Sequence, residues 1–363
     1  MTDTYLLSDY LSCIADCADG MTGTDNTAAI NAVIASLPSG SRLVVTPSTV
    51  VQGGDGVGYG HAGPIVVDHP VSIIGRSGMY SRLCPLAGFN PAAPNIHIIE
   101  NSYYWEGIKF GGFQIGGSIF NPPFFRNGGD GIFVDGVSVT SMIWEDLLIG
   151  ESGNGYGLHI TGVGTQHHRV VGGEICGVFF DGIADGHSVT GTRLPGRTRK
   201  SGLLVNMFGG NFALRDCPSI TAVGGVVIGG GTMPVIEGNY CEELPGYPID
   251  NYALAGGYSG MISFVGYPGN VYAGRIRDNI INMGVSGPGN GFNTPGATAF
   301  CINLNPAVHG AAHTHISGNE FNLSTNRGYI NSQDPDLCLG PNTAVSPGWS
   351  TLSGMSSPAT HTY

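Results

Sequence analysis

The spacing of apolar residues changes character along this chain. Over Thr24–Ala35, Ile30, Val33 and Ile34 share one face at helical spacing. Thr24 or Asp25 can cap the free amides at the start of that helix, and Ser39-Gly40 ends it. Three short β-type runs follow, Arg42-Leu43-Val44-Val45, Pro64-Ile65-Val66-Val67 and Val71-Ser72-Ile73-Ile74-Gly75, each closed by Gly or Pro. From about residue 105 a repeat takes over. Its clearest unit is a glycine leading a short apolar run: Gly131-Ile132-Phe133-Val134, Gly157-Leu158-His159-Ile160, Gly177-Val178-Phe179-Phe180, Gly202-Leu203-Leu204-Val205 and Gly225-Val226-Val227-Ile228. Looser copies begin at Gly260 and Ala299, and successive starts lie 26, 20, 25, 23, 35 and 39 residues apart. A second unit alternates with it, as Ile236-Glu237-Gly238-Asn239, Ile276-Arg277-Asp278-Asn279 and Ile316-Ser317-Gly318-Asn319. Degenerate copies are read at Ile143–Asp146, Val171–Glu174 and Leu214–Cys217.

One such coil of strands cannot bury its own apolar side. Stacking coils about 4.8 Å apart pairs each strand with its equivalent in the next coil and builds a continuous core. Gly supplies the sharp bends, and Asn at a fixed bend can stack into a ladder of amides. The pattern therefore predicts an all-β fold, a right-handed single-stranded parallel β-helix, with a short N-terminal helix capping the edge of the first coil. The boundaries read as 1–40 for the N-terminal segment and helix, 41–331 for the β-helix and 332–363 for an irregular tail or partner-binding strap. The long 35- and 39-residue intervals predict loops projecting from the wall. A β-sandwich would instead show alternating hairpins with Asn-Gly turns, and the recurrent Ile-x-x-Asn bend argues against it.

Composition fits this picture. There are 61 Gly and only 11% charged residues, where ordinary domains carry about 25% charged. The net charge of -12 makes nucleic acid an unsuitable partner. No apolar run reaches the length needed to cross a membrane. The segment Met1–Asp9 is polar and acidic and lacks the basic region and apolar core of a secretory signal. Work outside a cell would then require another exit, such as lysis within a virus particle. The eight cysteines form no CxxC pair and read as small apolar core residues. His167-His168, His309, His313 and His315 fall in Gly-rich loops rather than on one strand face, so neither a metal nor another cofactor is expected.

The run Asp19-Gly20 … Thr24-Asp25-Asn26-Thr27-Ala28-Ala29-Ile30, then Leu43-Val44-Val45-Thr46-Pro47 and Val71-Ser72-Ile73-Ile74-Gly75, resembles the start of pectate-lyase-like β-helix proteins, a group that includes phage tailspikes and polysaccharide depolymerases. The resemblance covers about residues 15–76 in order and spacing, and 105–325 as repeat type. It implies a homotrimeric spike, carried on a virion or extracellular, that binds and often cleaves surface polysaccharide and contacts other virion proteins. The family's Pro-x-Gly-x-Tyr after the first strand is Pro47-Ser48-Thr49-Val50 here. No calcium-site Asp cluster or lysing Arg matches, so lyase chemistry is not carried over.

Aligning the Gly-led strands places side chains in columns. Ile132/Val134, Leu158/Ile160, Val178/Phe180 and Leu203/Val205 point inward, and Phe133, His159, Phe179 and Leu204 form one outward column. The next is Asp135, Thr161, Asp181 and Asn206. Two coils separate Asp135 from Asp181, roughly 9–10 Å along the wall. Inverting glycosidases hold their carboxyls about 6.5–9.5 Å apart. Asp135 and Asp181 are thus candidates for an acid/base pair, with Phe133, His159 and Phe179 as a sugar platform. The structural alternative is a surface aspartate at a strand end, with the aromatics covered by a neighbouring subunit. Glu242 heads a second cluster with Glu243 and Asp250, as a general acid or as solvated loop acids. Asp146 and Glu174 are read at the Asn position of earlier coils, continuing the ladder or facing a groove. The basic run Arg193–Lys200, through Arg197 and Arg199, could hold an acidic sugar's carboxylate or balance nearby acids. Three functions follow: a phage-type spike that binds and hydrolyses a bacterial surface polysaccharide, a non-catalytic receptor-binding or structural spike, or a free-standing glycan-active enzyme such as a fructotransferase or lyase.

Overall fold

The computed structural model describes residues 3–19, 21–46, 57–76, 81–90, 92–99, 105–116, 129–136, 139–150, 155–196, 203–207, 210–222, 225–242, 259–264, 271–283, 299–304, 311–323, 327–332 and 336–345. The chain forms two compact units, Met1–His187 and Ser188–Tyr363. Each is built from coils of a parallel β-helix, and in each coil the chain visits three sheets in turn.

In the first unit, sheet one stacks Thr4–Leu6, Arg42–Val45, Ser72–Gly75, Lys109–Gly111, Ile143–Glu145 and Arg169–Val171, all parallel. Sheet two stacks Ala15–Cys17, Gly58–His61, Arg82–Pro85, Gln114–Ile115, Leu148–Ile149 and Glu174–Ile175. Its one antiparallel pairing is that of Ala15–Cys17 on Gly58–His61, and the rest are parallel. Sheet three stacks Ile65–Val67, Ile96–Ile99, Ile132–Asp135, Leu158–Gln166 and Val178–Asp185, again parallel.

The helix, Thr27–Ser36, sits at the start of this stack and buries Ile30, Val33 and Ile34. Asn26 holds the N-cap position, and Asp25 Oδ1, one residue before it, accepts the Thr27 amide at 3.0 Å. Asn26, fully buried, accepts the Ile14 amide at 2.7 Å and donates to the Gly60 carbonyl at 3.1 Å. Asn31 accepts the Val66 amide at 2.9 Å and donates to the Pro64 carbonyl at 3.1 Å. The helix thereby satisfies backbone groups along the outermost strand of sheet three, an edge that would otherwise recruit another chain.

In the second unit, sheet one holds Phe212–Arg215, Val235–Glu237, Arg275–Arg277, His315–Ser317 and Cys338–Leu339. Sheet two holds Arg193–Gly196, Ser219–Ala222, Tyr240–Glu242, Ile280–Met283, Glu320–Leu323 and Thr343–Val345. Sheet three holds Leu203–Met207, Val226–Thr232, Ser259–Phe264, Ala299–Leu304 and Arg327–Ser332. Residues 338–345 thus add two more parallel strands where the sequence pattern predicted an irregular tail. They are too short for a repeat to be read in them, and their place is set by the coil beneath.

Several sheet-one strands are framed by two residues in the left-handed region. Ser141 and Asp146, His167 and Gly172, Met233 and Gly238, Ala273 and Asp278, and His313 and Gly318 all carry φ between 50° and 68°. The second bend corrects two sequence readings. Trp144 pairs with Val170, and Ile236 with Leu214. Asp146, two residues past Trp144, therefore occupies the left-handed corner that Gly238 holds two past Ile236, one residue before the Asn position. Glu174 falls one residue after it, pairing with Leu148 at the start of a sheet-two strand. The earlier coils lack Asn, and nothing in their composition marked which of the adjacent residues made the corner.

The expected alternation holds in the first unit. Ile132, Val134, Leu158, Ile160, Val178 and Phe180 are at most 1% exposed, each burial contributing about 1.5–3 kcal/mol. In the second unit the looser copies slip, the Gly260 copy by one residue and the Ala299 copy by two: Ile262 and Phe264 pair with Val226 and Ile228, and Ile302 and Leu304 continue them. Seven of the eight cysteines lie in the described core or partly covered, and Cys338 is exposed.

Candidate functional site

The outer face of sheet three in the first unit gathers the densest set of chemically able side chains. The register places Phe133 opposite His159 and His159 opposite Phe179, and Asp135, Thr161 and Asp181 in the adjoining row. The first three members of each expected column therefore line up. The ring column is longer than the sequence reading, because His97 pairs with Phe133 and Val66 with His97. Ring centroids are 5.4 Å apart for His97–Phe133, 4.9 Å for Phe133–His159 and 4.5 Å for His159–Phe179, the last pair stacked nearly parallel at 16°. Phenyl and imidazole rings alternate along one flank, half-buried, and the faces of His159 and Phe179 are turned on each other.

Two residues that sequence reasoning missed complete the face. Asp130 precedes the glycine of its coil, and Tyr156 holds the same position one coil later. Asp130 Oδ1 accepts the Tyr156 amide at 2.7 Å, and Oδ2 lies 2.9 Å from His159 Nδ1. The Tyr156 ring packs on Phe179 at 5.1 Å. The signal available was the residue before each leading glycine, a position whose side chain turns onto the sheet-three wall. His97 was legible in the alternation Ile96-His97-Ile98, but that strand precedes the recognisable repeat and has Asn95 in place of the glycine.

Asp135 is exposed and Asp181 half-buried. The imidazole of His97 is held below its ordinary pKa, chiefly by burial, against the opposing pull of Asp135. His97 is thus mostly neutral at pH 7, and its Nε2 has no hydrogen-bond partner, as is true of His159 Nε2.

The remaining candidates lie elsewhere. Glu242 belongs to sheet two of the second unit, where it pairs with Asn282, and Tyr240 Oη donates to it at 3.4 Å. It is therefore on a different sheet from Asp135 and Asp181. Leu204 and Asn206 fall on the strand Leu203–Met207 of the second unit. Arg193 lies on a sheet-two strand there. Arg197, Arg199, Glu243 and Asp250 lie outside the described residues. His168 is buried inside the first unit rather than in an open loop. Among the described residues no group of three or more His, Cys, Asp or Glu is placed to hold a metal ion.

No protein-family model matches the sequence, and no curated protein is significantly similar to it. Similarity is found among solved structures. The surface adhesin PfbA of Streptococcus pneumoniae superposes with a TM-score of 0.55 at 10% identity, over 95% of this chain and 92% of that one. The ORF18 protein of Geobacillus virus E2 gives a TM-score of 0.46 at 11% identity, and this chain spans 61% of its length. The gp42 tailspike of Acinetobacter phage vb_AbaP_AS12 gives 0.38 at 10% identity, with 66% of that chain covered. At 10% identity the likeness to the adhesin concerns the fold alone.

Proposed function

We propose that this chain is a phage-type spike that holds a bacterial surface polysaccharide along sheet three of the first unit and hydrolyses it. The observation that carries this reading is the register that sets Phe133, His159 and Phe179 in one row and Asp135, Thr161 and Asp181 in the next. A sugar chain lying across the coils meets a ring at each step of about 4.8 Å, and the two carboxyls flank the step between. Asp181, the less exposed, is the acid that protonates the glycosidic oxygen. Asp135, open to solvent, is the base that activates water from the opposite side. The spacing of two coils leaves room for that water and so implies inversion at the anomeric carbon. In this reading the working form is a homotrimer on a virion tail or surface, meeting its polysaccharide outside the cell and other virion proteins at its attachment.

A second reading, a receptor-binding spike without catalysis, is favoured by the ring column itself, which needs neither aspartate to bind. One experiment separates them. Asp181→Asn is expected to fold normally, bind the susceptible bacterial capsule and release no reducing ends from it. Unchanged release removes the acid/base pair, and binding by a wild-type protein that never releases reducing ends leaves the receptor-binding reading.

A further inference from the structure

We infer that Asp130 fixes His159 as a hydrogen-bond acceptor, and that this face is thereby built for an uncharged, hydroxyl-rich glycan and against a carboxylated one. The inference deepens the proposed function and rests on it. Asp130 Oδ1 is occupied by the Tyr156 amide at 2.7 Å, and Oδ2 faces His159 Nδ1 at 2.9 Å. A carboxylate accepts and does not donate, so the imidazole proton sits on Nδ1 and Nε2 presents its lone pair. Phe179 stacked at 4.5 Å and Phe133 at 4.9 Å hold the ring in that orientation. His159 Nε2 is closed to water and has no partner. An acceptor left open in this way is costly, and a ligand that displaces its cover and brings a donor regains that cost.

The surrounding charge points the same way. None of the sheet-three strands of the first unit, Ile65–Val67, Ile96–Ile99, Ile132–Asp135, Leu158–Gln166 and Val178–Asp185, contains a Lys or Arg. They and their leading residues contribute Asp130, Asp135, Asp181 and Asp185. The acceptors that these strands offer a ligand are therefore Asp135 and, beneath its cover, His159 Nε2, with the Thr161 hydroxyl able to act either way and Asp181, as the acid, a donor. A sugar hydroxyl supplies the donor each of them lacks. A uronate carboxylate brings another acceptor and a like charge against the Asp135 carboxylate, a juxtaposition that costs affinity.

The test uses the whole chain and a matched pair of probes: galacturonan hexasaccharide, and the same pool after carboxyl reduction to the neutral galactan, with N-acetylchitohexaose as a second neutral probe. Titration calorimetry is expected to show both neutral probes binding, with the galacturonan at least about tenfold weaker at low salt. Raising the salt narrows that gap, and so does Asp135→Asn combined with Asp181→Asn. Imidazole nitrogen NMR is expected to find His159 protonated on Nδ1. Asp130→Asn, whose amide can turn to donate, is expected to move that proton to Nε2 and to weaken the neutral probes while leaving the fold intact. Galacturonan binding as tightly as its reduced form overturns the inference, as does an unchanged neutral affinity in Asp130→Asn. Failure of all three probes to bind sinks the glycan-holding face itself, and the proposed function with it.

Discussion

Where a left-handed corner follows a sheet-one strand it holds Asp or Gly, and the choice in one coil constrains the next. Asp146, Asp216 and Asp278 hold this corner at φ between 50° and 57°. The following coil has Gly172, Gly238 and Gly318 there. A side-chain carbon added to Gly238 would lie 2.6 Å from Asp216 Oδ1, and one added to Gly172 or Gly318 would collide with the Asp146 or Asp278 carboxylate. Glycine is thus needed twice over, for its backbone angle and for the space that the neighbouring carboxylate fills. Gly238→Ala is expected to cost about 2–3 kcal/mol, from left-handed backbone strain plus the clash. Asp216→Gly in the same chain should recover the clash alone, so urea midpoints of the single and double variants ought to show positive coupling. Additive losses would mean that the two corners do not touch.

At the scale of an element, the amide ladder of the second unit rests on Asn239, Asn279, Asn319 and Asn342. Asn279 is fully buried; its Oδ1 accepts the backbone and side-chain amides of Asn239 at 3.0 and 2.9 Å, and its Nδ2 reaches Asn319 Oδ1 at 2.9 Å and the Ile236 carbonyl at 3.0 Å. Removing one interior rung strands several buried groups at once. Asn279→Ala is expected to destabilise by about 3 kcal/mol or more, and Asn342→Ala, partly exposed at the ladder's end, by about 1 kcal/mol. Equal losses in chemical denaturation would show the ladder to be a set of independent pairs. Three of these rungs were legible because Ile-x-x-Asn recurs at a fixed interval of 40 residues. Asn342 was not, since Leu339 stands in place of the isoleucine and the interval from Asn319 is 23 residues rather than 40. The wall of sheet three was legible for the same reason as the ladder: the glycine and the in-out alternation together fix the register of Phe133, His159 and Phe179. Asp130 escaped because it stands before the alternation begins. Its role comes from a hydrogen bond to the next coil, which no spacing within its own strand encodes.

For the molecule as a whole, the buried histidines decide how it answers to acid. Inside the first unit, Trp144 Nε1 donates to His168 Nδ1 at 3.3 Å, which places the His168 proton on Nε2, directed at the Val139 carbonyl 2.9 Å away. The His168 amide in turn donates to His187 Nδ1 at 3.1 Å, and the His187 ring stacks on Phe180. Neither ring can take a second proton without losing an acceptor. Burial holds His168 down to about 4, and His61, buried beside Phe89, down to about 4 for the same reason. His187 is held lower than its ordinary value by burial and by its histidine neighbours. Because these folded-state values lie below the unfolded value of about 6.5, the unfolded chain binds more protons at mildly acidic pH. The contribution of each histidine is therefore complete above pH 6.5 and drains away as the pH falls toward 4. The loss reaches about 3 kcal/mol for His168 and a similar amount for His61. Most carboxylates titrate below this window, so the interval from pH 6.5 to 5 isolates the histidines. Urea midpoints should be flat from pH 8 to 7 and fall steadily from 6.5 to 5, with His168→Gln lowering the plateau but flattening the slope. A midpoint unchanged down to pH 5 would mean that these imidazoles are reached by water, and that the interior of the first unit is less closed than its packing implies.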